Sequence, residues 1–247
     1  MSVYCRAGMR VWATMISLLL TAGCAGVAVQ RAESEAAQKA MAPVSMSETG
    51  KARSEFWKKK VEEFVHDNWT REPGEVVLLG DSITQGFPVE KLFPDLKVTN
   101  RGIGGDIIAG VRGRLGVSVY DLRPKQLFLL IGVNDINLAK ETIPQLAARY
   151  DDLIGEIQKY APETELAVQS VLPLRDRFAK NNEKVLELNG EIKKLAAKHR
   201  VAYLDVHALL ADEKGELKAE YSADGIHLTP VAYEAWANFL RPKLAAN

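Results

Sequence analysis

From residue 76 onward, short strand-like stretches, most of them apolar throughout, alternate with longer ones in which apolar residues return every three or four positions. Residues 76–79, 97–100, 126–131, 166–171 and 202–206 are of the first kind, and 126–131 is the most apolar. Continuous apolar runs rather than strict alternation predict strands buried on both faces, as in a parallel sheet. Residues 110–119, 143–160, 181–199 and 230–244 read as the helices between and after them. Thr229 before Pro230 suits an N-cap followed by proline at the first helical position. The alternation predicts an α/β domain with helices on both faces of the sheet. In such sheets ligands bind outside the carboxyl ends of the strands, and the glycine-containing polar motifs fall at those ends.

The chain upstream has a different character. Phe56, Trp57, Val61, Phe64 and Val65 recur at helical spacing between residues 54 and 68, so a helix should pack on the domain. Residues 25–50 are mainly Ala, Ser, Glu, Gln and Met with hardly a large apolar side chain, which predicts a tether. Arg6 and Arg10 precede an apolar run at 11–20, too short to span a membrane but of signal-peptide length. Leu20-Thr21-Ala22-Gly23-Cys24 is similar to a bacterial lipobox, in which Cys24 would be lipidated and become the mature N-terminus. The alternative is an ordinary secretory signal cut near Ala28. The expected division is therefore a signal peptide at 1–23, a lipidated Cys24 with its tether to 50, and one α/β domain at 51–247. The expected location is that of an exported bacterial lipoprotein, with Ala25 after the cysteine suited to transfer to the outer membrane.

Composition narrows the chemistry. Lys plus Arg and Asp plus Glu each number 32, so the net charge is zero and no footprint for nucleic acid appears. The two cysteines are Cys5 and Cys24, and cleavage before Cys24 leaves a single modified one, which excludes a disulfide framework or a cysteine metal cluster.

Ser82 follows the first strand in Gly80-Asp81-Ser82, where it is either a helix cap or an exposed nucleophile. A hydroxyl needs a base to become a nucleophile. Of the four histidines, His66 lies on a polar helix side, His199 in the last turn of a Lys-rich helix, and His207 directly after a strand. His227 stands in Asp224-Gly225-Ile226-His227, a loop in which a tight turn can set the Asp224 carboxylate against the imidazole. Such an aspartate fixes the tautomer while the other ring nitrogen takes the serine proton. Acyl transfer also needs donors for an oxyanion. Gly104-Gly105 after the second strand offers unobstructed N–H groups, and Asn134 after the third offers an amide; in a sheet ordered 2-1-3 they flank Ser82.

Gly80-Asp81-Ser82, Gly104-Gly105-Asp106, Gly132-Val133-Asn134-Asp135 and Asp224-Gly225-Ile226-His227 resemble, in order and approximate spacing, the four signature blocks of the SGNH or GDSL-like hydrolases over roughly residues 76–244. The wording looks closest to the branch of the platelet-activating-factor acetylhydrolase catalytic subunits and bacterial acetylesterases. One departure is conservative, Ile83 for the Leu of the GDSL name. The resemblance implies a flavodoxin-like three-layer α/β/α sandwich with a five-stranded parallel sheet in the order 2-1-3-4-5. It also implies serine catalysis of ester hydrolysis without metal or organic cofactor. Residue by residue, it puts the triad on Ser82, Asp224 and His227, and the oxyanion hole on Ser82 N–H, Gly105 N–H and Asn134. A small acyl group, acetyl first, on an exported carbohydrate or lipid is the expected substrate; a lysophospholipase or thioesterase, and a non-catalytic surface binding lipoprotein, are the alternatives. Phe87, Pro88, Leu174, Arg175 and Phe178 lie where loops could shape a substrate site or merely pack.

Overall fold

The computed structural model describes residues 48–138 and 141–244, within the unit Val44–Asn247. The signal peptide, Cys24 and the tether up to residue 47 lie outside the described residues. The first helix begins before residue 50, so the end of the predicted tether belongs to it: α1 spans Glu48–Asp67.

Five strands follow, β1 (Val76–Gly80), β2 (Val98–Gly102), β3 (Gln126–Leu130), β4 (Glu165–Gln169) and β5 (Ala202–Leu204). They form one parallel sheet in the order β2-β1-β3-β4-β5, as expected. All five residues of β1 and of β3 are buried, so both faces of the central strands are covered and the α/β sandwich is the arrangement that hides them. β5 stops at Leu204, earlier than predicted, because the Asp205 side chain accepts from Ala208 N–H (3.0 Å) and caps a short helix, Val206–Leu210.

The helices α2 (Ser82–Gln85), α3 (Val89–Leu92), α4 (Ile108–Arg112), α5 (Val133–Leu138), α6 (Ile143–Tyr160), α7 (Asn182–His199), α8 (Val206–Leu210) and α9 (Pro230–Leu240) complete the frame. The helix read at 110–119 is broken: α4 ends at Arg112 and a π-helical turn runs Gly116–Tyr120. Between them the fully buried Arg114 turns into the sheet. The helix predicted to residue 244 gives way to a tighter 3₁₀ turn, Arg241–Lys243. α9 starts on the expected Thr229 cap with Pro230 at its first position.

Two of the candidate loop residues belong to the core. Phe87 is 2% exposed, stacked on Phe93 (5.6 Å) and edge-on to Trp236 (4.9 Å). Leu174 is 1% exposed in the same cluster.

Candidate active site

The register aligns the strand ends that carry the motifs. Gly80 pairs with Gly102 on one side and Leu130 on the other, so the loops after β1, β2 and β3 leave the sheet at one level. Side chains at the turns would collide: a Cβ on Gly80 meets the Leu130 carbonyl and Thr84 Oγ1, and one on Gly102 meets the backbone of Gln85. Asp81, fully buried, accepts from Ile83 N–H (3.0 Å) and starts α2, which leaves Ser82 at the first helical position.

The His227 turn is built by two short side chains. Asp224 Oδ1 accepts from the N–H groups of Ile226 (3.0 Å) and His227 (2.8 Å), an Asx-type turn. Ser222 Oγ accepts from Gly225 N–H (2.9 Å) and donates to the His227 carbonyl (2.7 Å). Gly225 has φ +88°, and a side chain there would run into the Arg175 carbonyl, while Arg175 N–H donates to Gly225 O (2.9 Å). Arg175 is thus a brace for this turn, its guanidinium fixed by Asp212 (3.0 Å) and the Leu217 carbonyl (3.0 Å). From the other side Tyr233 of α9 donates its hydroxyl to Ile83 O (2.8 Å), tying the helix after His227 to the helix after Ser82.

The result is a line of three groups. Asp224 Oδ2 lies 2.6 Å from His227 Nδ1, and His227 Nε2 lies 3.1 Å from Ser82 Oγ. Partial burial works to raise the Asp224 carboxyl, but hydrogen bonds from the His227 ring and from the His227 and Ile226 N–H groups outweigh it and hold the carboxyl down at about 2. An ionised Asp224 keeps the proton on Nδ1 and leaves the Nε2 lone pair facing the hydroxyl.

The expected oxyanion donors lie in the loops that leave β2 and β3, the two strands flanking β1. Gly104 N–H donates to Gln85 Oε1 (2.6 Å), which pins the β2 loop to α2, and Gly105 at φ +74° adopts a left-handed backbone open to glycine. Among the described residues the N–H groups of Gly105 and Ser82 donate to no protein acceptor. Asn134, 9% exposed at the start of α5, donates one amide hydrogen to Asp106 O (2.9 Å) and keeps the other. Asp135 beside it accepts from Ile108 N–H on both oxygens (3.2 Å each) and caps α4. Burial pushes the Asp81 and Asp135 carboxyls up to about 7.

Below this lies a network that the sequence reading did not assign. Arg114 binds Asp106 Oδ2 (2.8 Å), the carbonyls of Arg101 and Gly80 (2.9 Å each) and Ser118 Oγ (2.9 Å), clamping β1, β2 and the Gly105 loop together. Its sequence signal was an arginine among Val111, Leu115 and Val117, on a face otherwise apolar. Asn100 adds a second clamp, donating to the carbonyls of Thr84 (2.7 Å) and Phe87 (3.0 Å). The three remaining histidines stay outside the site: His66 packs edge-on against Trp69 (4.9 Å), His199 lies 2.5 Å from Asp151, and His207 is buried in α8. Cavities of about 510 and 190 Å³ lie at β4 and β5 around Glu165, Leu166 and Ala202, and neither touches Ser82.

Comparison with known proteins bears on the family and the fold. The model of the GDSL-like Lipase/Acylhydrolase family matches residues 78–235. A solved structure from Streptococcus pneumonia, provisionally named a platelet activating factor, is 28% identical, with a TM-score of 0.74 over 80% of this chain and 96% of its own. A GDSL-like lipase from Bacteroides thetaiotaomicron shares the fold at 20% identity, with a TM-score of 0.66 over 74% of this chain and 96% of its own. The acetyl xylan esterase AlAXEase does so at 19% identity, with a TM-score of 0.59 over 69% and 99%. No curated protein matches the sequence significantly.

Proposed function

Because the chain belongs to the GDSL-like lipase/acylhydrolase family and is a carboxylic ester hydrolase, we propose that it removes a small acyl group, acetyl first, from a carbohydrate or lipid outside the cytoplasm, by way of an acyl-enzyme on Ser82. The observation that carries the reading is the unbroken line Asp224–His227–Ser82, with separations of 2.6 and 3.1 Å. His227 Nε2 takes the Ser82 proton as Oγ attacks the ester carbonyl, and the imidazolium is stabilised by Asp224. The negative charge passes to the carbonyl oxygen, which the Ser82 and Gly105 N–H groups and the free amide hydrogen of Asn134 receive. On collapse His227 returns the proton to the leaving alkoxide. Water then repeats the sequence on the acyl-enzyme, His227 acting again as base.

A small acyl group is supported by the openness of the site. The His227 side chain is 53% exposed and that of Asp224 47%, so the nucleophile sits at the surface, with little enclosure for a long chain. The acetyl xylan esterase shows that this fold accommodates such chemistry in another protein. A p-nitrophenyl ester panel from acetate to octanoate, followed by acetylated xylan and glycerophospholipids, tests this. Highest kcat/KM at acetate is the expected outcome, and a maximum at octanoate would refute the small-acyl reading. Labelling by an organophosphonate should modify Ser82 and no other serine.

We further propose export and anchoring through a lipidated Cys24, supported by the run from Leu20 to Cys24. In a bacterial host the protein should partition with membranes and Cys24→Ser should release it. A soluble wild-type protein with an N-terminus at Val29 would disprove the anchor.

A further inference from the structure

Helix α1 precedes the residues that match the family, yet two of its adjacent aromatics reach the site. Trp57 Nε1 donates to Asp106 Oδ1 (3.2 Å), the same carboxylate that Arg114 holds (2.8 Å) and whose residue offers its carbonyl to Asn134 (2.9 Å). The helix is fixed below by a small apolar cluster, in which Phe64 packs with Ile103 and Val117 and is joined by Trp57 and Val61. Arg101 adds to it, with its guanidinium over the Phe64 ring (4.6 Å) and paired with Asp67 (2.8 Å). A helix held at so many points places its remaining aromatic, Phe56, in a defined position.

That position is beside the nucleophile. A Cβ built on Gly104 would lie 3.6 Å from Phe56 Cε1 and 3.9 Å from Ser82 Cβ. The bare backbone of Gly104 therefore floors a space about one carbon substituent wide, with the Gln85 side chain, the Phe56 ring and Ser82 all within contact distance of it. Phe56 is nonetheless 42% exposed, so part of a large apolar residue remains open to a ligand. Aromatic surface left open next to a reacting centre gains by covering itself with an apolar part of the substrate.

We propose that Phe56 is a specificity-determining residue: its ring is the apolar wall on which a substituent of the scissile carbonyl, acyl chain or alcohol, comes to rest. Gly104 lacks a side chain so that this group can enter. The assignment rests on ester hydrolysis at Ser82.

The test uses the full chain and two ester series, acyl length varied on p-nitrophenol and alcohol size varied on acetate from methyl to phenyl. Contact with one or two carbons of substrate is worth about tenfold or more in discrimination. Phe56→Ala should lower kcat/KM about 5–30-fold for the larger members of one series, mainly through KM, and leave methyl acetate within about twofold. Phe56→Leu should restore most of the loss. Gly104→Ala, whose tightest new contact is the Gln85 Oε1 already bonded to Gly104 N–H, at 3.3 Å, should fill the gap and depress the same series. A change along the acyl series places the acyl chain on the ring, and one along the alcohol series places the alcohol there; either supports the wall. An equal change for every ester, or none, in protein with unaltered melting would overturn it. Wild-type protein inactive on all the esters would instead refute the hydrolysis reading, and this one with it.

Discussion

Replacing Asn134 by Ala should damage the enzyme in two separable ways, because the amide group has two tasks. One hydrogen on Nδ2 is committed to Asp106 O at 2.9 Å, and the other is free for the substrate oxyanion. Loss of one oxyanion donor costs about 2.7–4 kcal/mol in the transition state, or 10²–10³ in kcat. KM should change little, since the ground-state carbonyl carries less charge than the intermediate. The second consequence is structural: the Asp106 carbonyl loses its partner in a buried site, at a cost of about 1–3 kcal/mol. For a domain of this size each kcal/mol lowers Tm by about 2–4 °C. Initial rates on p-nitrophenyl acetate well below the melting range measure the first effect, and thermal unfolding by circular dichroism measures the second. Asn134→Asp, which keeps the shape but supplies no N–H to either oxygen, should be as slow as the Ala variant. A kcat reduced less than about fivefold, or a loss carried wholly by KM, would show that Asn134 does not face the developing charge.

Ser82→Ala and His227→Ala should each abolish nearly all turnover, and the double variant should be no worse than either, since nucleophile and base act as a unit; additive losses in single-turnover assays would contradict the pairing. Arg114→Met should destabilise by about 3–5 kcal/mol, because it leaves the buried Asp106 carboxylate uncompensated along with the carbonyls of Gly80 and Arg101, and a Tm lowered by less than about 5 °C would refute the clamp. Stability should also fall as pH rises from about 4 to about 7. In that window the buried Asp81 and Asp135, held up at about 7, keep protons that an unfolded carboxyl near 3.9 has released. The slope is about 1.4 kcal/mol per pH unit for each carboxyl, so Asp135→Asn should flatten the curve of Tm against pH, and an unchanged slope would show that Asp135 ionises normally in the folded protein.

The parts legible in the sequence were those whose cause is local. Continuous apolar runs marked β1 and β3 because both faces of those strands are buried, and Thr229-Pro230 marked the start of α9 because cap and proline act within one turn. The Asp224–His227 pairing was legible for the same reason, three residues being the reach of one Asx turn. What escaped depended on contacts across the chain. Arg114 reads as an interruption of a helix until Gly80 O, 34 residues away, is brought to its guanidinium. Trp57 is an apolar position on an amphipathic helix until Asp106, 49 residues on, reaches its indole N–H. Phe87 and Leu174 sit in loops by sequence, yet they fill the core, Phe87 by packing on Trp236 of α9 and Leu174 by joining the main apolar cluster. Ser222 stood two residues before Asp224, close enough for an ST-type turn to have suggested its part in holding His227.

These contacts divide the site into a buried half and an exposed half, and the division suits the reaction. The proposed oxyanion donors must be aimed before charge develops, and they rest on buried groups: Arg114 and Asp106 are both nearly inaccessible, and Asn134 is held against Asp106. His227 must instead exchange protons with serine, leaving group and water, so it stands half-exposed on a surface turn. That turn gains its order from Asp224, Ser222 and the Arg175 brace rather than from burial. Helix α1 is docked on the buried half through Trp57 and Phe64, which places Phe56 against the cross-braced part of the site. A substituent resting on that ring would therefore be held in fixed relation to the oxyanion donors while the histidine turn remains free to admit water.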